Sequence, residues 1–250
     1  MRLSDHCFAV TGLAYVPPWS VNAGLIAGDR STLVVDTGAN ALAAETIYGY
    51  AEAVGGRNEI LVLNTEPHFD HIGGNGYFRA RGCDIFGHFE IRRTSEEFNQ
   101  EIEDFGTLIR NPARRERGEA HVFYRGAELK NPNRPLYGDC CVDLGGCQVE
   151  ILATPGHTPS NLSVWVGSER VLYCGDCLTH GYLPNLDFGG EAAWSQWLAS
   201  LDRIERLEPR TVVCGHGSVC ANEDVSRTIH LTREILGKAI NDKQPPPRID

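Results

Sequence analysis

With 250 residues, of which 42% are apolar and 22% charged, the chain can bury a large core and has an ordinary globular composition. Its net charge of −10 argues against general affinity for nucleic acid or for an anionic membrane surface, because both need clustered Lys and Arg. No stretch reaches the roughly eighteen apolar residues of a membrane-spanning helix, and Asp5 and His6 stand where a signal peptide would run apolar, which predicts a cytoplasmic protein without a membrane association.

The first predicted elements are short extended runs at "FAVTGLAYV" (8–16), "NAGLIAG" (22–28) and "STLVVDTG" (31–38), the last ending in a turn. A helix pattern follows over 40–55, with Asn40 as N-cap and Gly55 as its stop. The run "EILVLNT" (59–65) is a further strand and leads into "EPHFDHIGGN". Phe98, Ile102, Phe105 and Ile109 lie at spacings of four, three and four and predict an amphipathic helix with an acidic outer face. Residues 110–135 hold six arginines and Lys130 against three glutamates, with Pro, Asn and Gly between them. That composition predicts a long surface loop or partly ordered insertion, able to offer guanidinium groups to a substrate carboxylate or phosphate.

The second half repeats the rhythm. Strands are expected at "CCVDL", "CQVEILAT", "NLSVWVG", "RVLYCGD" and "TVVCGH", with helices over 191–207 and about 222–241 and a loose tail from about 242 to 250. No Pro/Gly linker divides the chain, so one domain over 1–250 is expected, with two sheets between helical layers. The nine cysteines show no secreted-scaffold spacing and read as reduced, buried thiols, Cys141, Cys174 and Cys214 among them. "CGDC" has the spacing of a redox or zinc pair, but its place at a strand end gives Asp176 the greater weight.

Imidazoles and carboxylates concentrate at four strand ends: "EPHFDH", "TPGHT" with His157, "CGDC" with Asp176 and "CGHG" with His216. One such histidine would be uninformative, whereas four strand ends carrying ligand-type side chains beside Gly or Pro point to a metal site. Residues two apart in extended chain face the same way, so positions 66 and 68 can address one ion. Pro67 biases Glu66 toward that extended conformation.

In this order and at these separations the motifs resemble those of the metallo-β-lactamase superfamily, whose signature is His-x-His-x-Asp-His followed by a single His, an Asp and a final His. The resemblance covers nearly the whole chain, since Asp36 in "STLVVDTG" and the late "GHG" match as well. It implies an α+β fold, a four-layer αββα sandwich, with two divalent ions at one edge of the paired sheets, zinc first and iron or manganese as alternatives. His68 and His157 would serve the first ion and Asp70, His71 and His216 the second, with Asp176 bridging and Asp36 supporting the loops. The first ligand position falls on Glu66, where the family has His; as a ligand it would add negative charge and favour harder ions.

The activity this implies is hydrolysis of a small-molecule ester, thioester, lactone or β-lactam by a hydroxide bridging the two ions, held and oriented by Asp70. An alternative is a one-iron persulfide dioxygenase using His68, His157 and Asp176, and another is a non-catalytic metal-binding module. His180, Tyr182 and Asn185, in the loop after Asp176, are the candidates for touching substrate. His6, His88, His121 and His230 read as structural or surface residues, and Trp194 and Trp197 as core.

Overall fold

A computed structural model describes residues 1–13, 21–107, 111–124, 126–187 and 189–245. In chain order the elements are β1 (Cys7–Leu13), β2 (Val21–Ala27), β3 (Ser31–Val35), α1 (Ala41–Gly55), β4 (Glu59–Leu63), α2 (Phe69–Ile72), α3 (Asn75–Arg79), β5 (Ile85–His88) and α4 (Ser95–Thr107). There follow α5 (Pro112–Glu116), α6 (Glu119–Phe123), β6 (Arg134–Leu136), β7 (Cys140–Asp143), β8 (Gln148–Ala153), β9 (Leu162–Val166) and β10 (Val171–Tyr173). A one-turn helix at Gly175–Cys177, then α7 (Glu191–Arg206), β11 (Thr211–Val213), β12 (Cys220–Ala221) and α8 (Glu223–Asp242), complete the chain.

One sheet has the order β1-β2-β3-β4-β5-β6 and the other β12-β11-β10-β9-β8-β7. The first is antiparallel from β1 to β3 and parallel from β3 to β6. In the second only β10 and β11 run parallel.

The strand runs are apolar at nearly every position because both faces of each sheet are covered, and alternate residues serve different layers. Val35, Leu63, Tyr173 and Val213 point into the space between the sheets. Their neighbours Val34 and Val62 pack under α1, against Ala44, Ile47 and Ala51. Leu172 and Val212 pack under α7 and α8, with Trp197, Leu201, Val225 and Ile229. The layers are therefore α, β, β, α, as the motifs implied. Trp194 and Trp197 are core residues. Asn40 caps α1 by accepting from the Ala43 amide at 2.8 Å, and the helix ends at Gly55 as expected, followed by Gly56 as its cap with φ 63°.

Two expectations are corrected. Residues 111–136 are not a simple loop: α5 and α6 fold there, and β6 pairs with β5 at the edge of the first sheet. Tyr124 packs edge-on against Phe69, while Phe98 and Ile102 of α4 join the same cluster, so this segment is seated on α2, the short helix within the motif. Arg114 pairs with Glu119, and Arg134 with Asp84. Cys141 is exposed, because its register opposite Glu150 turns it to the outer face beyond the helices. Helix α8 ends at Asp242, where the tail was expected to begin; 246–250 lie outside the described residues, as do 14–16 of the first strand run, 108–110 of the α4 pattern and the side chains of Phe105 and His121.

Candidate metal centre

The four motif loops leave β4, β8, β10 and β11 at the same end of the paired sheets. Thr65 is the seam between the sheets. Its amide and hydroxyl both donate to the Asp36 carboxylate, at 2.7 and 2.6 Å, and its carbonyl accepts from the Leu162 amide on the second sheet at 2.7 Å. Gly175 is packed against it, since a Cβ there would stand 2.4 Å from Thr65 Oγ1. The backbone of Gly215 passes closer still: an added Cβ would lie 1.9 Å from Asp176 Oδ1. Glycine at 215 is what lets the His216 loop and the Asp176 turn occupy one small volume.

Seven side chains converge there. His68 Nδ1, His157 Nε2 and Glu66 form one triad, with His68 Nδ1 to His157 Nε2 at 3.2 Å, His68 Nδ1 to Glu66 Oε1 at 3.0 Å and His157 Nε2 to Glu66 Oε2 at 3.3 Å. Asp70, His71 and His216 form a second, with Asp70 Oδ2 3.2 Å from His216 Nε2 and 3.9 Å from His71 Nε2. Asp176 lies between them: Oδ2 is 3.6 Å from His157 and 3.3 Å from His216, and Oδ1 is 3.4 Å from His71. All seven predicted ligand positions are thus brought together.

The tautomers follow from what the other ring nitrogens touch. His157 Nδ1 lies 3.0 Å from the Asn185 carbonyl, which can only accept, so Nδ1 carries the hydrogen and Nε2 is left facing the cluster. His71 Nδ1 is 2.8 Å from Asp36 Oδ2, which orients its Nε2 in the same manner. Asp36 itself sits at φ 64°, a left-handed backbone that few non-glycine residues adopt, and this turn aims its carboxylate at both Thr65 and His71.

Electrostatics bind the cluster together. Burial pushes Glu66 up, but His68, His157 and His71 outweigh it and hold the carboxyl below its usual range. For Asp70, burial is likewise outweighed, by His71 and His216, to about 2. Burial opposes a charge on His68, yet Glu66 raises it to about 9; Glu66, Asp36 and Asp70 lift His71 well above the ordinary imidazole range. The metal-free site therefore holds protons at neutral pH. Below those raised values the rings are imidazolium and must lose a proton to become ligands; above them they are free to bind. Metal uptake at pH 7 is expected to release protons, with the share from His68 lost as the pH rises past about 9, which calorimetry in buffers of different ionisation enthalpy measures.

Glu66 Oε2, His71 Nε2 and Asp176 Oδ1 are buried polar atoms without a hydrogen-bond partner. Orphaned atoms of this kind are costly. Imidazole and carboxylate donors facing one another at these distances fit divalent ions. Replacing Asp36 with Asn, which tolerates the left-handed backbone, removes the charge behind His71. The variant is expected to fold and to bind metal about 10- to 100-fold more weakly, read by competition with a chelating dye.

The loop candidates for substrate contact are placed differently from one another. His180 turns away from the cluster: its Nδ1 meets Thr228 Oγ1 at 2.9 Å, and its amide donates to the His216 carbonyl at 3.0 Å. Asn185 acts through its backbone carbonyl on His157. Tyr182 is exposed. His6 binds Glu169, His88 is half-buried and His230 lies on the surface. Two residues escaped sequence reasoning. Arg93 donates to the Pro67 carbonyl at 3.2 Å, and Glu101 of α4 receives the same guanidinium, which ties the motif loop to that helix. Nothing local to either residue signals this.

A sandwich of this layering with such a cluster at its edge defines a class of metal-dependent hydrolases. The chain belongs to the metallo-beta-lactamase superfamily, whose family model matches residues 16–216. It is 29% identical over 195 residues to a hydroxyacylglutathione hydrolase of Rhodospirillum rubrum, a match covering 77% of this chain and only 61% of that protein's length. It is 23% identical over 240 residues to a metallo-beta-lactamase type 2 of Bacteroides fragilis, covering 94% and 85% of the two chains. In structure it is similar to a metallo-beta-lactamase family protein from Thermus thermophilus, with a TM-score of 0.71 at 23% identity over 95% of this chain and 81% of the other. Among the described residues no helix is long and apolar enough to cross a membrane.

Proposed function

We propose that the protein hydrolyses a small-molecule carbonyl compound, an S-acyl thioester first and an ester, lactone or β-lactam next, at a site holding two divalent ions. The observation that carries this reading is the pair of triads, Glu66–His68–His157 and Asp70–His71–His216, joined through Asp176, with orphaned donor atoms facing inward. The first choice of bond rests on similarity to hydroxyacylglutathione hydrolases, and it extends to this chain as a proposal.

Glu66, His68 and His157 would hold one ion, Asp70, His71 and His216 the other, and Asp176 both. Bound there, divalent ions supply Lewis acidity toward a carbonyl oxygen and lower the pKa of an attacking water. Asp70 is one of the less deeply covered carboxylates of the cluster, 13% exposed at its side chain, and its Oδ2 is 3.2 Å from His216. In this reading it would accept a hydrogen bond from the attacking water and orient it. Asn185 and Asp36 keep His157 and His71 in the right tautomers throughout. The complete Asp70–His71–His216 triad supports two ions over a one-iron site built on His68, His157 and Asp176 alone.

The test is elemental analysis after reconstitution with zinc, manganese or iron(II), then a panel of S-acylglutathione, lactone, β-lactam and aryl ester substrates. Two ions per chain and chelator-sensitive hydrolysis are expected. A fully loaded protein that turns over no member of the panel overturns the reading.

A further inference from the structure

Glu66 belongs to two ligand groups at once. Besides His68 and His157, it stands with His71 and Asp176, every member of that second group being buried. The distances say how. Glu66 Oε1 is 3.0 Å from His68 Nδ1 and also 3.0 Å from His71 Nε2, while Oε2 faces His157 Nε2 at 3.3 Å. Asp176 has the complementary pattern, with one oxygen near both His157 and His216 and the other near His71. Each of these carboxylates therefore reaches a histidine of both triads. Glu66 is fully buried, and both its Oε2 and the His71 Nε2 that faces its Oε1 are among the orphaned atoms.

Histidine at position 66 would not do this. Imidazole presents one lone pair to a site and must keep its other nitrogen protonated, whereas a carboxylate offers two oxygens about 2.2 Å apart with lone pairs on both. The extra methylene of Glu, together with the extended backbone before Pro67, is what carries the group from its own triad across to His71.

We infer that Glu66 is a bridging carboxylate, shared by both ions opposite Asp176, rather than a ligand of the first ion alone. The inference rests on the reading that the cluster holds two ions. It makes the centre a doubly carboxylate-bridged one, in which Glu66, Asp70 and Asp176 place three negative charges against the four positive charges of two divalent ions. Such a site shifts preference toward oxygen-seeking ions such as Mn2+ and Fe2+, relative to a site with His at this position.

The test isolates the second triad. Replacing His68 and His157 with Ala disables the first, and one Co2+ is then loaded on Asp70, His71 and His216. Adding Glu66→Gln to that background is expected to change the visible absorption of the bound Co2+ and to weaken its binding by about tenfold or more, as befits a lost ligand. Superimposable spectra and equal affinities overturn the inference. A second measurement uses the intact chain with Glu66→His, which restores one donor to the first triad. Shared ligation predicts that both steps of a metal titration differ from those of the parent protein, the second step weaker by about tenfold. A second step identical to the parent's overturns it. Failure of the unmodified chain to take up two ions would overturn the two-ion reading itself, and is seen before any variant is made.

Discussion

Changing Asp70 to Asn is expected to lower kcat by about 10²- to 10⁴-fold at saturating metal, with KM little altered. Asn keeps the size and one acceptor oxygen of Asp70 but can neither take up a proton nor hold a charge beside His71 and His216. In the metal-free protein those two rings keep Asp70 ionised against the cost of burial, holding its carboxyl at about 2. The variant should therefore also bind the second ion more weakly, and kinetics must be recorded with metal in excess. Unfolding curves separate this from a structural failure, because Asp70 is partly open to solvent and the apolar layers do not depend on it. Wild-type kcat in the metal-loaded variant would remove Asp70 from the chemistry.

The second large effect is steric. Gly215→Ala would place a methyl group 1.9 Å from Asp176 Oδ1 and 2.8 Å from the Gly175 carbonyl carbon, neither of which can retreat. Asp176 is held between His71, His157 and His216, and Gly175 is pinned by the 2.7 Å bond from the Gly215 amide to its carbonyl. Overpacking of this kind costs about 1–3 kcal/mol. The more telling loss is functional: Asp176 must move off the centre, so metal stoichiometry is expected to fall below two and turnover to vanish. Gly49→Ala is the matched control. It adds the same methyl group to α1 with nothing within 4 Å, and should raise stability by about 0.5–1 kcal/mol with full metal content. Two ions per chain in Gly215→Ala would mean that the loops can separate and that their close approach does not build the site.

Much of this was legible in the residues. The strand runs read correctly because the sheets are covered on both faces, and continuous β-branched and aliphatic stretches have few other uses. The side chains that converge could be picked out because strand ends with Gly or Pro beside His and Asp need only the local chain to display them. Asn40 as a helix cap is equally local, a side chain bonding an amide three residues away.

What escaped lies at longer range. Polar, Arg-rich composition over 110–135 signals exposure, and α5 and α6 are exposed on one side, but Tyr124 found Phe69 and β6 found β5 only through the packed first sheet. Cys141 looked like its buried counterparts until the register opposite Glu150 put it outside. Asn185 was singled out for its side chain, and it is its carbonyl that meets His157, across 28 residues. Position 66 divides the same way. The motif alone named Glu66 as a departure and pointed it toward the ion of His68, since extended chain turns alternate residues to one side. Its 3.0 Å approach to His71 depends on the turn into α2 and on Asp36 holding that ring from behind. Sequence determined which side chains could be ligands, because that is a property of residue type and local direction. The tertiary structure decided which of them stand together, because that depends on where four separate loops and two sheets bring their donor atoms to rest.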